Sequence, residues 1–184
     1  MGFEVYRAEI VDLWQRQLNV CITVSLELRG KELNGVVDRG NARALAEHIP
    51  ALASKLGRCI LKGKGNVDFV QDKVIAFFTK PKSCKFERCL PDVVDRYRWD
   101  QQIPGGHCMA DPVLVERSAR QLLRLVIRER LELVYLPLPG VQNGRLDVAE
   151  IGDALKVLKN SSSVRLIANR DIDDPNIEMR DLED

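Results

Sequence analysis

Leu131-Glu132-Leu133-Val134-Tyr135-Leu136-Pro137-Leu138-Pro139-Gly140-Val141-Gln142-Asn143-Gly144-Arg145-Leu146-Asp147 divides into two halves of opposite character. The first is an apolar, strand-like run closed by two prolines, which end a ladder because proline donates no N–H. The second is a short loop with Gly140 and Gly144, after which Asp147 stands where a helix N-cap would. A buried strand that delivers a glycine loop onto a helix start is where α/β proteins place ligands, anionic ones above all.

Outward from this stretch the chain alternates strands with helices. Phe3 to Ile10 reads as a first strand. Leu18 to Leu28, with Val20, Cys21, Ile22, Thr23 and Val24, is a near-continuous apolar run expected of a strand buried on both faces. Ala42, Leu45, Ala46, Ile49, Leu52, Ala53 and Leu56 recur at helical spacing, and Pro50 splits that pattern into two pieces. Gly57 is expected to end the helix, with Cys59-Ile60-Leu61 a short strand and Gly63 to Asn66 a turn. Val67 to Val70 and Val74 to Thr79 read as a hairpin or as adjacent strands. Asp111-Pro112 opens a helix whose buried face is Val115, Ala119, Leu122, Leu123 and Val126. Val148, Ile151, Leu155 and Leu158 mark another, and Val164 to Ala168 a last strand. The expectation is a three-layer α/β/α fold with a mixed, mostly parallel sheet. One domain spans 1–170, with an insertion at 81–110, and the acidic residues 171–184 form a disordered or loosely docked tail.

Composition narrows the function classes. The 184 residues are 45% hydrophobic and 30% charged, and 28 basic against 27 acidic side chains leave a net charge of +1. No global field therefore argues for nucleic acid or an anionic membrane. No apolar run approaches the ~20 residues of a membrane span, and the N-terminus does not read as a signal peptide. Five scattered cysteines suit reduced thiols, and hence a cytoplasmic setting, better than a disulfide framework.

A second loop, Asn34 to Ala42, also follows a strand and opens a helix. Two such loops would flank one crevice at the carboxyl ends of the strands. Val36-Val37-Asp38-Arg39-Gly40-Asn41-Ala42 resembles the Val-Met-Gly-Arg-Gly-Ile-Ala loop of macro-domain proteins, the ADP-ribose-binding modules. Leu136 to Asp147 resembles their Leu-Pro-Arg-Pro-Gly-Cys-Gly-Asn-Gly-Gly-Leu-Asp stretch. Glu116 to Leu122 is similar to the preceding family helix, and Ala8-Glu9-Ile10 falls where the family has Gly-Asp-Ile or Gly-Asp-Leu. Order and spacing agree from about residue 3 to 168.

The resemblance implies an ADP-ribose or related nucleotide-diphosphate module that needs no cofactor and no metal. Glu9 and Ile10 would stand at the adenine. Thr23 and Ser25 end the second strand, and Val36, Val37, Asp38, Arg39 and Gly40 would hug the diphosphate. Pro139, Gly140, Val141, Gln142, Asn143, Gly144 and Arg145 would cradle the phosphates and second ribose. Backbone N–H groups bind a diphosphate without lysines, so a near-neutral chain suffices.

Departures from the family pattern lower the expected affinity. Val24-Ser25 replaces Thr-Asn; Asp38 brings a carboxylate where glycine approaches phosphate; Gln142 and Arg145 replace glycines, though Arg145 could pair with a phosphate. One hydrolase branch uses a lysine and an aspartate at places that here read Ala46-Glu47-His48 and Asn143-Gly144. A weak binder is therefore expected. The alternatives are an ADP-ribosyl hydrolase acting on an ADP-ribosylated macromolecule and a non-binding interaction scaffold.

Other constellations read as structural. Cys84, Cys89, His107 and Cys108 are badly spaced for zinc, and adjacent His107 and Cys108 are poorly disposed as a nucleophile pair. Lys62, Lys64, Lys80, Lys82 and Lys85 read as a solvated edge rather than a nucleic-acid patch, Tyr97 and Trp99 as packing residues, and His48 as a surface histidine.

Overall fold

In a computed structural model, residues 3–86, 96–141 and 143–182 are described. Strand β1 (Phe3–Arg7) leads through helix α1 (Ile10–Gln15) into β2 (Asn19–Ser25). A small hairpin, β3 (Leu28–Arg29) with β4 (Asn34–Gly35), precedes helices α2 (Gly40–Ala46) and α3 (Leu52–Gly63). Strands β5 (Asp68–Gln71) and β6 (Val74–Lys80) form an antiparallel hairpin. The insertion contributes a third antiparallel pair, β7 (Ser83–Lys85) with β8 (Gln102–Pro104), and a 3₁₀ turn over Gly105–His107. Helix α4 (Pro112–Glu129), β9 (Val134–Pro137), α5 (Val148–Ala154), β10 (Val164–Ala168) and β11 (Ile177–Asp181) complete the chain.

The main sheet runs β11-β1-β10-β9-β2-β6-β5, and β5 is its one antiparallel strand among the described residues. Helices α1, α2 and α3 pack in one layer, α4 and α5 in the other. The unbroken apolar run of β6 now has its reason. It lies between β2 and β5 under α4, with Phe77 and Phe78 fully buried. Each such ring stabilises the fold by about 1.5–3 kcal/mol. Asp111 caps α4 by accepting from the N–H groups of Val113 and Leu114, with Pro112 at the first helical position.

Two expectations fail for identifiable reasons. Helix α3 passes through Gly57 and includes Cys59-Ile60-Leu61. Gly57 is there for contact: a Cβ on it would meet the Leu33 carbonyl oxygen at 2.1 Å. The helix ends instead at Lys64, which takes a left-handed conformation, φ 51°. The acidic tail is also not loose over its length, because Ile177–Asp181 pairs in parallel with β1. Ile177 and Met179 pack against the core, Arg180 bridges to Glu4 at 2.7 Å, and Arg7 reaches Asp171 and Asp181.

The sheet opens where the site lies. β2 and β9 pair only at Asn19↔Val134 and Val20↔Tyr135. Beyond those pairs β2 stays with β6 to its end, while β9 stays with β10 as far as Pro137↔Ile167. The carboxyl ends of β2 and β9 therefore part, and the gap is a crevice of the kind that open α/β sheets use for ligands.

Candidate functional site

A cleft of about 280 Å³ occupies that gap, walled by the carboxyl ends of β1, β10, β9, β2 and β6 and by both glycine loops. Of the residues expected from the sequence, Glu9, Ile10, Thr23, Ser25, Val36, Asp38, Arg39, Gly40, Gly140, Val141, Asn143 and Gly144 line it. Three others do not. Val37 packs against the core, Pro139 is buried behind the loop, and Arg145 is exposed with φ 56°. Gln142 lies outside the described residues.

The first loop is held by side chains. Asn41 accepts the Thr23 N–H at 3.0 Å and donates to the Thr23 hydroxyl at 2.9 Å, which fixes the start of α2 against β2. Arg29 donates to Glu27 at 2.6 Å and to Asp38 at 2.7 Å. These two carboxylates, Glu27 first, hold the guanidinium above its ordinary pKa, against the opposing effect of burial. Asp38 is thus paired with Arg29 at the cleft rim, yet its carboxylate stays half-exposed there. Glu27 is itself buried and accepts the Gly106 N–H at 2.6 Å, tying the β3–β4 hairpin to the insertion.

The second loop is held by its backbone. Gly140 has φ +82°, and its carbonyl accepts the Leu146 N–H at 2.9 Å. A Cβ on Gly144 would lie 2.5 Å from the Gly140 carbonyl oxygen and 2.7 Å from the Ala110 Cβ. Asp147 and Glu150 then form a reciprocal capping box at the start of α5. The two loops meet across the cleft, where a Cβ on Gly40 would stand 3.3 Å from the Asn143 amide nitrogen.

Lys80 is the principal residue that the sequence misplaced. Lys62, Lys64, Lys82 and Lys85 are exposed as an edge should be, but Lys80 is 8% exposed and lines the cleft. Its ammonium donates to the carbonyls of Asn143 at 2.9 Å and Gly106 at 3.3 Å, joining the second loop to the insertion. A register shift between β2 and β6 at Val24/Ser25 accompanies its turn inward. Nothing in a lysine-rich edge marks which lysine does this, though its place at the end of a fully apolar strand was an available signal. Thr79, Gly106, Asn169 and Ile172 are further lining residues absent from the expected set.

The metal reading finds no support among the described residues: no group of three His, Cys, Asp or Glu side chains comes together. Cys84 meets Cys108, the His107 ring is hydrogen-bonded to the Tyr97 hydroxyl, and Cys89 lies outside the described residues. Among the described residues, no helix is long and apolar enough to cross a membrane.

Fold and site define a class: an α/β protein with a mostly parallel sheet, split at its carboxyl edge to form a cleft between two glycine loops. No family model and no curated protein matches the chain. Solved structures do. The macrodomain of Mycobacterium tuberculosis DarG matches with a TM-score of 0.59 at 16% identity, over 91% of this chain and 98% of that one. The macrodomain of Thermus aquaticus DarG matches at 0.54 and 14%, over 91% and 97%. Thermosipho africanus DarTG in complex with ADP-ribose matches at 0.55 and 14%, over 84% of this chain and 39% of that one. The chain has the macrodomain fold, in a form whose sequence has diverged.

Proposed function

We propose that the cleft binds ADP-ribose or a closely related nucleotide diphosphate, weakly. The observation that carries this reading is the convergence of the Gly40, Gly140 and Gly144 backbones on one cleft at the carboxyl ends of parallel strands. Backbone N–H groups in such loops suit a diphosphate, and buried Lys80 adds a cation beside them. The DarTG neighbour seen with ADP-ribose supports the ligand class. Asp38 at the rim and Asn143 against Gly40 support the low affinity, since they put a carboxylate and an amide where the ligand would enter. A thermal-shift series with ADP-ribose, NAD and AMP tests this. Millimolar ADP-ribose should raise the melting temperature, because a ligand bound only by the native state must stabilise it. No shift would sink the reading and leave the non-binding scaffold.

Lys80 favours a second reading, removal of ADP-ribose from an ADP-ribosylated macromolecule. An ammonium held partly desolvated in a cleft can stabilise the negative charge that develops on the departing target atom as its bond to the ribose breaks and water adds to that carbon. If so, Lys80→Ala should abolish turnover of an ADP-ribosylated target while leaving a measurable thermal shift with ADP-ribose. Absence of turnover in the unaltered protein rejects the enzyme and keeps the binder.

A further inference from the structure

The thiols of Cys84 and Cys108 meet in the insertion, with their Sγ atoms 3.0 Å apart. Cys84 is the half-buried middle residue of β7, and Cys108 directly follows the Gly105–His107 turn and is fully buried. The other two described cysteines differ. Cys21 lies inside β2, where burial pushes its thiol up, and Cys59 on α3 is pushed up to about 11 by burial and then by Asp68. Among the described residues neither meets a second sulfur.

The pair lies beside the turn whose Gly106 lines the cleft. Gly106, two residues before Cys108, donates its N–H to Glu27, and its carbonyl accepts from Lys80. The turn is pressed onto the chain leading into β7: Gly105 donates to the Lys82 carbonyl at 3.0 Å, and a Cβ on Gly105 would lie 2.1 Å from the Pro81 carbonyl oxygen. A covalent link between Cys84 and Cys108 would therefore join segments that already touch, while holding the one that presents Gly106.

We propose that Cys84 and Cys108 are a reversible thiol–disulfide modification site, closed by a low-molecular-weight disulfide such as oxidised glutathione, and that closure rigidifies the cleft wall at Gly105–His107. The more accessible Cys84 thiolate attacks the small disulfide, forming a mixed disulfide and expelling one thiolate. The Cys108 thiolate then attacks Cys84 Sγ and expels the second. The two cysteine protons pass to the two departing thiolates. Two protein thiols and one small disulfide thus become one protein disulfide and two small thiols. Cross-linking residues 84 and 108 removes freedom chiefly from opened states of the insertion.

The test needs no ligand, so it stands or falls separately from the ADP-ribose reading. The full chain is treated with oxidised glutathione, alkylated, digested without reduction and weighed. A Cys84–Cys108 linked peptide, lighter by two hydrogens and released by dithiothreitol, is expected from the unaltered chain and from Cys89→Ser, but not from Cys84→Ser or Cys84→Ala. Hydrogen exchange over residues 105–108 should slow by about threefold or more on oxidation of the two competent chains only, as local opening becomes rarer. A persistent glutathione adduct on Cys84, a Cys84–Cys89 linkage, or a linked peptide with unchanged exchange at the turn would each overturn the proposal.

Discussion

The two loops that face each other across the cleft are built by opposite means. The loop at 36–42 is kept in place by side chains: Asn41 on Thr23, and Asp38 through Arg29 to Glu27. The loop at 139–147 is kept in place by what it lacks, because Gly144 fits against Gly140 and Ala110 only without a Cβ. The first can exchange one polar residue for another and keep its course. The second cannot, since steric exclusion of backbone by backbone has no partial substitute. The difference predicts where damage concentrates.

Gly144→Ala should be the most severe change. Its new methyl would stand 2.5 Å from the Gly140 carbonyl oxygen, and either the loop moves or the chain is strained. A loss of about 2–4 kcal/mol in unfolding free energy, with ADP-ribose response abolished, is expected from urea melts and thermal shifts. An unchanged midpoint would erase the contrast between the loops. Asp147→Ala comes next: it removes one half of the capping box and should cost about 1 kcal/mol in the same melts.

Asp38→Gly should be smallest in stability, within about 0.5 kcal/mol, because its pair with Arg29 is half exposed and Glu27 remains to Arg29. Its effect belongs to the ligand. Removing a carboxylate from the rim should raise ADP-ribose affinity, roughly two- to fivefold by titration. A fall in affinity would instead make Asp38 a ligand contact and sharpen the first loop into a reader rather than a frame.

What the sequence made legible follows the strength of each local signal. Runs such as Val20–Val24 and Val74–Phe78 are buried on both faces, so their composition alone announces them. The Asp111-Pro112 opening and the Asp147 cap are determined within a few residues and were equally readable. β11 was not, because an edge strand with only Ile177 and Met179 half-buried gives too little alternation to stand out from an acidic tail. α3 was cut short at Gly57 because the reason for that glycine, a carbonyl of Leu33 brought against it, lies more than twenty positions away. Lys80 was hidden for the same kind of reason: its carbonyl partners at Gly106 and Asn143 belong to segments that only the fold brings together.

The parting of β2 from β9 has one more consequence. A sheet split partway along a seam ordinarily strands donors and acceptors that the missing neighbour would have taken. Here the N–H of Thr23 is received by the Asn41 carboxamide, which stands in for the departed strand. One asparagine thereby acts as a single rung of β-structure, supplied by a helix, and a recess can exist in the middle of the sheet without leaving that donor orphaned. The cleft and the continuity of the sheet rest on the same side chain.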